Sequence, residues 1–247
     1  MTDLIAWRRP FDAPIKRFQV LGERSSGTNF VDVLFKRNTT LQPTKDYGWK
    51  HAVPQFTSVL RDDLIIVCFR GPESWLRSMY AKPWHVPDSL VNVTFSEFLR
   101  APWVTVMDMP GAMSAVGARK SLDLPVQGDR HPITGMHLEN PVQLRNLKNA
   151  AFLGVLERGC NVALIRHEDV TKYPRETISK VCELFDIPVN AADDFVIPTR
   201  QLGEMTQRNV EGLRRDKVAT YSDDDRAFVF SQLDHDLETK LGYGFSI

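Results

Sequence analysis

The stretch Phe18-Gln19-Val20-Leu21-Gly22-Glu23-Arg24-Ser25-Ser26-Gly27-Thr28-Asn29-Phe30 limits the folds open to this chain more than any other. It reads as a short apolar strand from Phe18 to Leu21, then a turn bounded by two glycines. A helix opens at Thr28, with Phe30, Val31, Leu34 and Phe35 on one side. Strand, glycine turn and helix in that order form the unit of a parallel α/β sheet. Gly22 and Gly27 allow a close backbone approach and inward-turned N–H groups, and the helix start adds unpaired donors and the positive end of its dipole. With the hydroxyls of Ser25, Ser26 and Thr28, the turn has the makings of an anion site; an ordinary strand-to-helix turn is the alternative.

The interval from Gly22 to Gly27 is that of the phosphate loop of nucleotide hydrolases, but the next two residues differ. That motif continues with Lys and then Ser or Thr, whereas this chain has Thr28 and Asn29. It has neither the lysine for β- and γ-phosphates nor the hydroxyl for magnesium at those positions. The loop therefore suits a single terminal phosphate, with Arg24 as its internal cation.

The rest of the chain extends the α/β pattern. Leu64 to Phe69 is an unbroken apolar run of the kind buried on both faces of a parallel sheet, and Arg70 stands at its carboxyl end. Pro72 opens a helix to about Lys82. A helix from Pro141 to about Arg158 is apolar at Leu144, Leu147, Ala151 and Val155, with Arg145, Asn146, Lys148 and Asn149 on its polar side. Asn161 to Arg166 is a third buried strand, Pro174 to Phe185 a helix, and Ser222 caps a last helix running through Leu241. Trp49-Lys50-His51 reads as the end of a short strand, and Pro54 to Leu60 as a helix. Ligands in such sheets bind beyond the carboxyl ends of the strands, so Arg70 and the glycine turn are expected on one rim. A salt bridge at a strand end is the other reading of Arg70.

With 247 residues, one α/β domain is expected, with an irregular lid or acceptor region over about 84–140. The 31 basic and 31 acidic residues cancel, so no global charge points to nucleic acid or to an acidic membrane surface. Cys68, Cys160 and Cys182 lie in apolar runs and read as reduced core residues. No apolar run is long enough to span a membrane, and a cytoplasmic protein, monomer or homodimer, is the expectation.

Three separated stretches together resemble the sulfotransferases that use 3′-phosphoadenosine 5′-phosphosulfate. Arg24-Ser25-Ser26-Gly27-Thr28-Asn29 looks like that family's 5′-phosphosulfate loop. Arg70, Pro72 and Ser78, eight residues after Arg70, are similar to its 3′-phosphate element. Leu164 to Val170, followed by the helix ending at Asp186-Ile187-Pro188, resembles its strand, Arg-Tyr-Glu-Asp-Leu element and terminating turn. Leu241-Gly242-Tyr243-Gly244 is like the family's usual finish. The resemblance leaves out roughly residues 84–140.

It implies a three-layer, mainly parallel sheet flanked by helices, of the P-loop-containing nucleotide hydrolase type. It also implies sulfuryl transfer from 3′-phosphoadenosine 5′-phosphosulfate to a small-molecule or carbohydrate acceptor, releasing adenosine 3′,5′-bisphosphate without a metal. Arg24 to Asn29 would hold the 5′-phosphosulfate, and Arg70 with Ser78 the 3′-phosphate. The loop cation stands one position early, so either Arg24 reaches the sulfate from a different angle or another cation such as Lys50 assists. Of the family's C-terminal cover over the 3′-phosphate, Arg214, Arg215 and Lys217 are the counterparts, without its glycines. His51 is the first choice for the base, with His85, His131, His137 and Glu139 as rivals. A nucleoside-type kinase and a non-catalytic nucleotide-binding module are the alternatives.

Overall fold

Five strands form one sheet in the order β1-β5-β4-β2-β3 in the computed structural model, which describes residues 3–109, 113, 124–199 and 219–246. The strands are β1 (Ala6–Arg8), β2 (Arg17–Leu21), β3 (Gln42–Pro43), β4 (Asp63–Phe69) and β5 (Asn161–Arg166). β2, β3, β4 and β5 run parallel, and β1 closes one edge antiparallel to β5. The protein is thus α/β with a mostly parallel sheet. β4 is buried along its whole length, as its β-branched and apolar run requires.

The described residues divide into two compact units. The first comprises 3–71 and 151–199, and the second 72–109, 113, 124–150 and 219–246. The first unit carries the sheet. Alternate residues of its central strands, Leu64, Ile66 and Cys68 on β4 with Ala163 and Ile165 on β5, form one core with apolar residues of three helices. These helices are α1 (Thr28–Asn38), α5 (His167–Lys172) and α6 (Pro174–Leu184). Numbered in chain order, α2 (Pro72–Ala81), α3 (Phe95–Arg100), α4 (Pro141–Leu153), α7 (Asp223–Gln232) and α8 (His235–Lys240) complete the set.

The second unit is organised around Trp75, Leu76 and Met79 of α2, Phe98 of α3 and Trp103. Here the structure corrects the reading of the helix after Pro141. It is α-helical to Leu153 and tightens into a 3₁₀ turn over Gly154–Arg158, and its supposed polar side is partly core. Arg145 is 2% exposed and Lys148 0%. Both tolerate burial because they are paired. Arg145 makes two bonds to the Glu238 carboxylate, 2.6 and 2.7 Å, and Lys148 donates to Asp129. Asp129 in turn accepts from Thr105, whose hydroxyl takes the indole N–H of Trp103 at 2.9 Å. Described parts of 84–140 thus pack into this core, with Val86, Leu90, Trp103 and Leu138 buried.

Three more expectations are corrected. Residues 49–51 form a turn, and the short strand is β3. Residues 54–60 form no helix, because side chains take their backbone groups instead. Tyr47 Oη accepts the Leu60 N–H at 3.1 Å and Arg158 donates to the Pro54 carbonyl at 3.2 Å. The last helix is two, broken where Leu233 turns extended and Asp234 caps α8 by accepting the Leu237 N–H.

Candidate functional site

The carboxyl ends of three neighbouring parallel strands place the loop after β2, Arg70 after β4 and His167 after β5 on one rim. In the loop, Ser25 and Gly27 take left-handed backbone angles, φ 63° and 86°, while the Ser26 N–H returns to the Glu23 carbonyl at 3.2 Å. Two steric facts fix the glycines. A Cβ on Gly22 would sit 2.5 Å from the Cys68 carbonyl oxygen of β4, and one on Gly27 would sit 2.5 Å from His167 Nδ1.

Helix α1 begins at Thr28 with Gly27 as its cap, so no side chain closes its N-terminus and no acidic residue stands in its first turn. Its first backbone bond runs from the Val31 N–H to the Gly27 carbonyl at 3.1 Å, which leaves the N–H groups of Thr28, Asn29 and Phe30 ahead of that ladder. Such an end favours an anion.

Arg24 does not have the place expected of it. It is 1% exposed, its Nε and its backbone N–H both reach Glu23 Oε1 at 2.7 Å, and its guanidinium lies 5.7 Å from the Trp49 ring centroid. A cation this deep needs a counter-charge, and Glu23, itself buried, supplies it. Ser26 likewise braces the turn, its hydroxyl donating to the Glu23 carbonyl at 2.5 Å. Thr28 is buried and Asn29 exposed at the helix start.

A different cation comes to the loop. The Lys50 ammonium donates to Asn29 Oδ1, at the position where the nucleotide-hydrolase motif has its Ser or Thr. Burial pushes the Lys50 pKa down, and Asp32, on α1, pulls it back up. The turn carrying Lys50 is fastened to the loop by the Gly22 N–H, which donates to the Lys50 carbonyl at 3.0 Å. His51, next along, places Nδ1 2.7 Å from the Gly22 carbonyl oxygen. That oxygen can only accept, so the neutral ring carries its proton on Nδ1 and its lone pair on Nε2. Arg70 donates to the Ser25 carbonyl at 2.9 Å, which puts a second cation beside the loop as the rim argument expects.

The remaining expected residues lie elsewhere. Ser78 is on α2, in the second unit. Arg214, Arg215 and Lys217 lie outside the described residues. Among the rival bases, His85 is buried and bonded to Asp108 at 2.5 Å, and His131 Nδ1 accepts the N–H groups of Ile133 and Thr134 at 3.3 and 3.2 Å. His137 and Glu139 are exposed.

Sequence reading gave no site role to His167 and Glu168. Glu168 accepts the Gly71 N–H at 2.9 Å, holding the chain just after Arg70, and His167 backs Gly27. The available signal was topological: both follow a buried parallel strand, as Arg70 does.

Fold and rim together define an α/β protein with a glycine-bounded strand-to-helix loop at the carboxyl edge of a mostly parallel sheet. Compared with family models, curated proteins and solved structures, the chain matches none. No helix of the described residues is long and apolar enough to cross a membrane, and no group of three or more His, Cys, Asp or Glu side chains among them could hold a metal ion.

Proposed function

We propose that this protein is a sulfotransferase of the P-loop-like architecture, moving a sulfuryl group from 3′-phosphoadenosine 5′-phosphosulfate to a hydroxyl or amine of a small-molecule or carbohydrate acceptor. The observation that carries the reading is convergence. Lys50, His51 and Arg70, from two segments outside the loop, each bond directly to loop or helix-start residues: Asn29, Gly22 and Ser25. Sulfuryl transfer needs an anion seat, cations for the charge that builds on the leaving phosphate, and a base for the acceptor proton.

In this reading the N–H groups at the start of α1 seat the 5′-phosphosulfate. Lys50 takes the role first given to Arg24, and Arg24, neutralised by Glu23, holds the loop's shape. The bond between sulfur and the bridging phosphate oxygen breaks as the acceptor oxygen bonds to sulfur. The acceptor proton passes to His51 Nε2, and adenosine 3′,5′-bisphosphate leaves with the bridging electron pair. The reading gives the 3′-phosphate to Arg70 and assigns no metal.

Calorimetric binding of adenosine 3′,5′-bisphosphate and of ATP with magnesium, on wild type and Arg70→Ala, tests it. Tight bisphosphate binding weakened by Arg70→Ala is expected, followed by transfer in an acceptor screen. ATP–magnesium binding without bisphosphate binding would replace the reading with a kinase. Bisphosphate binding with no transfer to any acceptor would leave a nucleotide-binding module.

A further inference from the structure

His167 opens α5 at the carboxyl end of β5, and its Nδ1 is buried with no hydrogen-bond partner among the described residues. A buried polar nitrogen with no partner is costly, and folded proteins keep few of them. This one faces the loop: it is the atom that a Cβ on Gly27 would strike. Among the described residues, the charged groups that act on the ring are Arg70, from the end of β4, and Glu168, its neighbour on α5. Each is already engaged, Arg70 with the Ser25 carbonyl and Glu168 with the Gly71 N–H. Burial first, and then Arg70, push the His167 pKa down to about 4 against the opposing pull of Glu168, so with no anion bound the ring is neutral at physiological pH.

An oxyanion seated in the loop changes both conditions. Its negative charge offsets Arg70, and its oxygens offer the buried nitrogen an acceptor. We propose that binding of a sulfuryl or phosphoryl oxyanion in the Gly22–Thr28 loop is coupled to uptake of one proton by His167, which makes His167 a ligand of the bound anion. The proposal rests on reading the loop as an anion site, and it adds a residue and a pH dependence to that reading. Proton uptake on binding means that affinity rises as pH falls, by up to about tenfold per pH unit at its steepest.

Inorganic sulfate is the probe, because it remains a dianion from pH 5 to 7.5 and any pH dependence then belongs to the protein. Its affinity is measured calorimetrically at constant ionic strength, across the pH range where far-UV circular dichroism is constant, for wild type and His167→Asn. Two buffers of different ionisation enthalpy count the protons taken up. Wild type is expected to bind sulfate more tightly as pH falls, with uptake approaching one proton. His167→Asn keeps a polar side chain against the loop, and its affinity is expected to vary by less than about twofold. An undiminished pH response in His167→Asn overturns the inference. Sulfate or adenosine 3′,5′-bisphosphate binding without proton uptake overturns it while leaving the anion site standing. Failure of wild type to bind either anion at any pH removes the anion site and this inference with it.

Discussion

The Lys50 ammonium and the Asn29 side-chain carbonyl are joined by a hydrogen bond across 21 residues of chain, at the second position of α1. A helix start that would take its cation from the next residue of a nucleotide-hydrolase loop thus receives it from a separate turn. In the proposed transfer, Lys50 would meet the charge that develops on the leaving phosphate, since Glu23 neutralises Arg24 inside the loop. Lys50→Met keeps the length and removes the charge. It is expected to lower kcat/KM for sulfuryl transfer by about 10²-fold, with a smaller loss in bisphosphate affinity. Steady-state kinetics beside calorimetry separates the two effects, and unchanged kcat/KM would take Lys50 out of the transition state.

His51 makes a second, separable prediction. Because the Gly22 carbonyl holds its Nδ1–H, the ring keeps its orientation and its Nε2 lone pair without help from the acceptor. His51→Ala is expected to cut turnover by about 10²-fold or more while bisphosphate affinity stays within about twofold. Turnover equal to wild type would pass the role of base to another residue.

Much of the fold around the candidate site was legible because its parts are local. Strand, glycine turn and helix are set by consecutive residues, and the apolar runs at Leu64–Phe69 and Asn161–Arg166 gave β4 and β5 almost to the residue. Parallel order then put Arg70 on the rim. What stayed hidden depended on partners far along the chain. Nothing near Arg24 says that Glu23 turns inward to meet it, since adjacent opposite charges are as common on solvated loops. Lys148 reads as solvated because its partner, Asp129, lies 19 residues away in an irregular stretch. The same holds for Arg145 and Glu238, 93 residues apart. His167 was legible as a strand end but not as the backing of Gly27, which follows from β5 lying two strands from β2.

The buried pair of Arg145 and Glu238 ties α4 to α8 and is expected to be costly to break on one side only. Glu238→Gln leaves the Arg145 guanidinium buried against a neutral amide, beside Trp75 at 5.6 Å. A loss of about 3–5 kcal/mol in unfolding free energy is expected, read from urea titrations. Replacing both, as Arg145→Met with Glu238→Leu, removes the uncompensated charge and should recover most of that loss. If the double variant is as unstable as the sum of the two single changes, the pair holds the helices by its hydrogen bonds and not merely by avoiding an isolated charge.

Acid stability gives a test of the resting state of His167 that does not depend on any ligand. Its pKa in the folded protein, about 4, is below the value of about 6.5 for a histidine in an unfolded chain. Between these two values the unfolded chain binds a proton that the folded protein refuses. The folded state therefore loses stability as pH falls from 6.5 toward 4, and this contribution levels off below 4. His167→Asn has no proton to bind in that window. Its urea midpoint should decline less than that of wild type between pH 6.5 and 4, with the two curves parallel above pH 7. Parallel curves through the whole window would mean that the folded protein accepts the proton as readily as the unfolded chain, and that His167 is charged at mildly acid pH even with the loop empty.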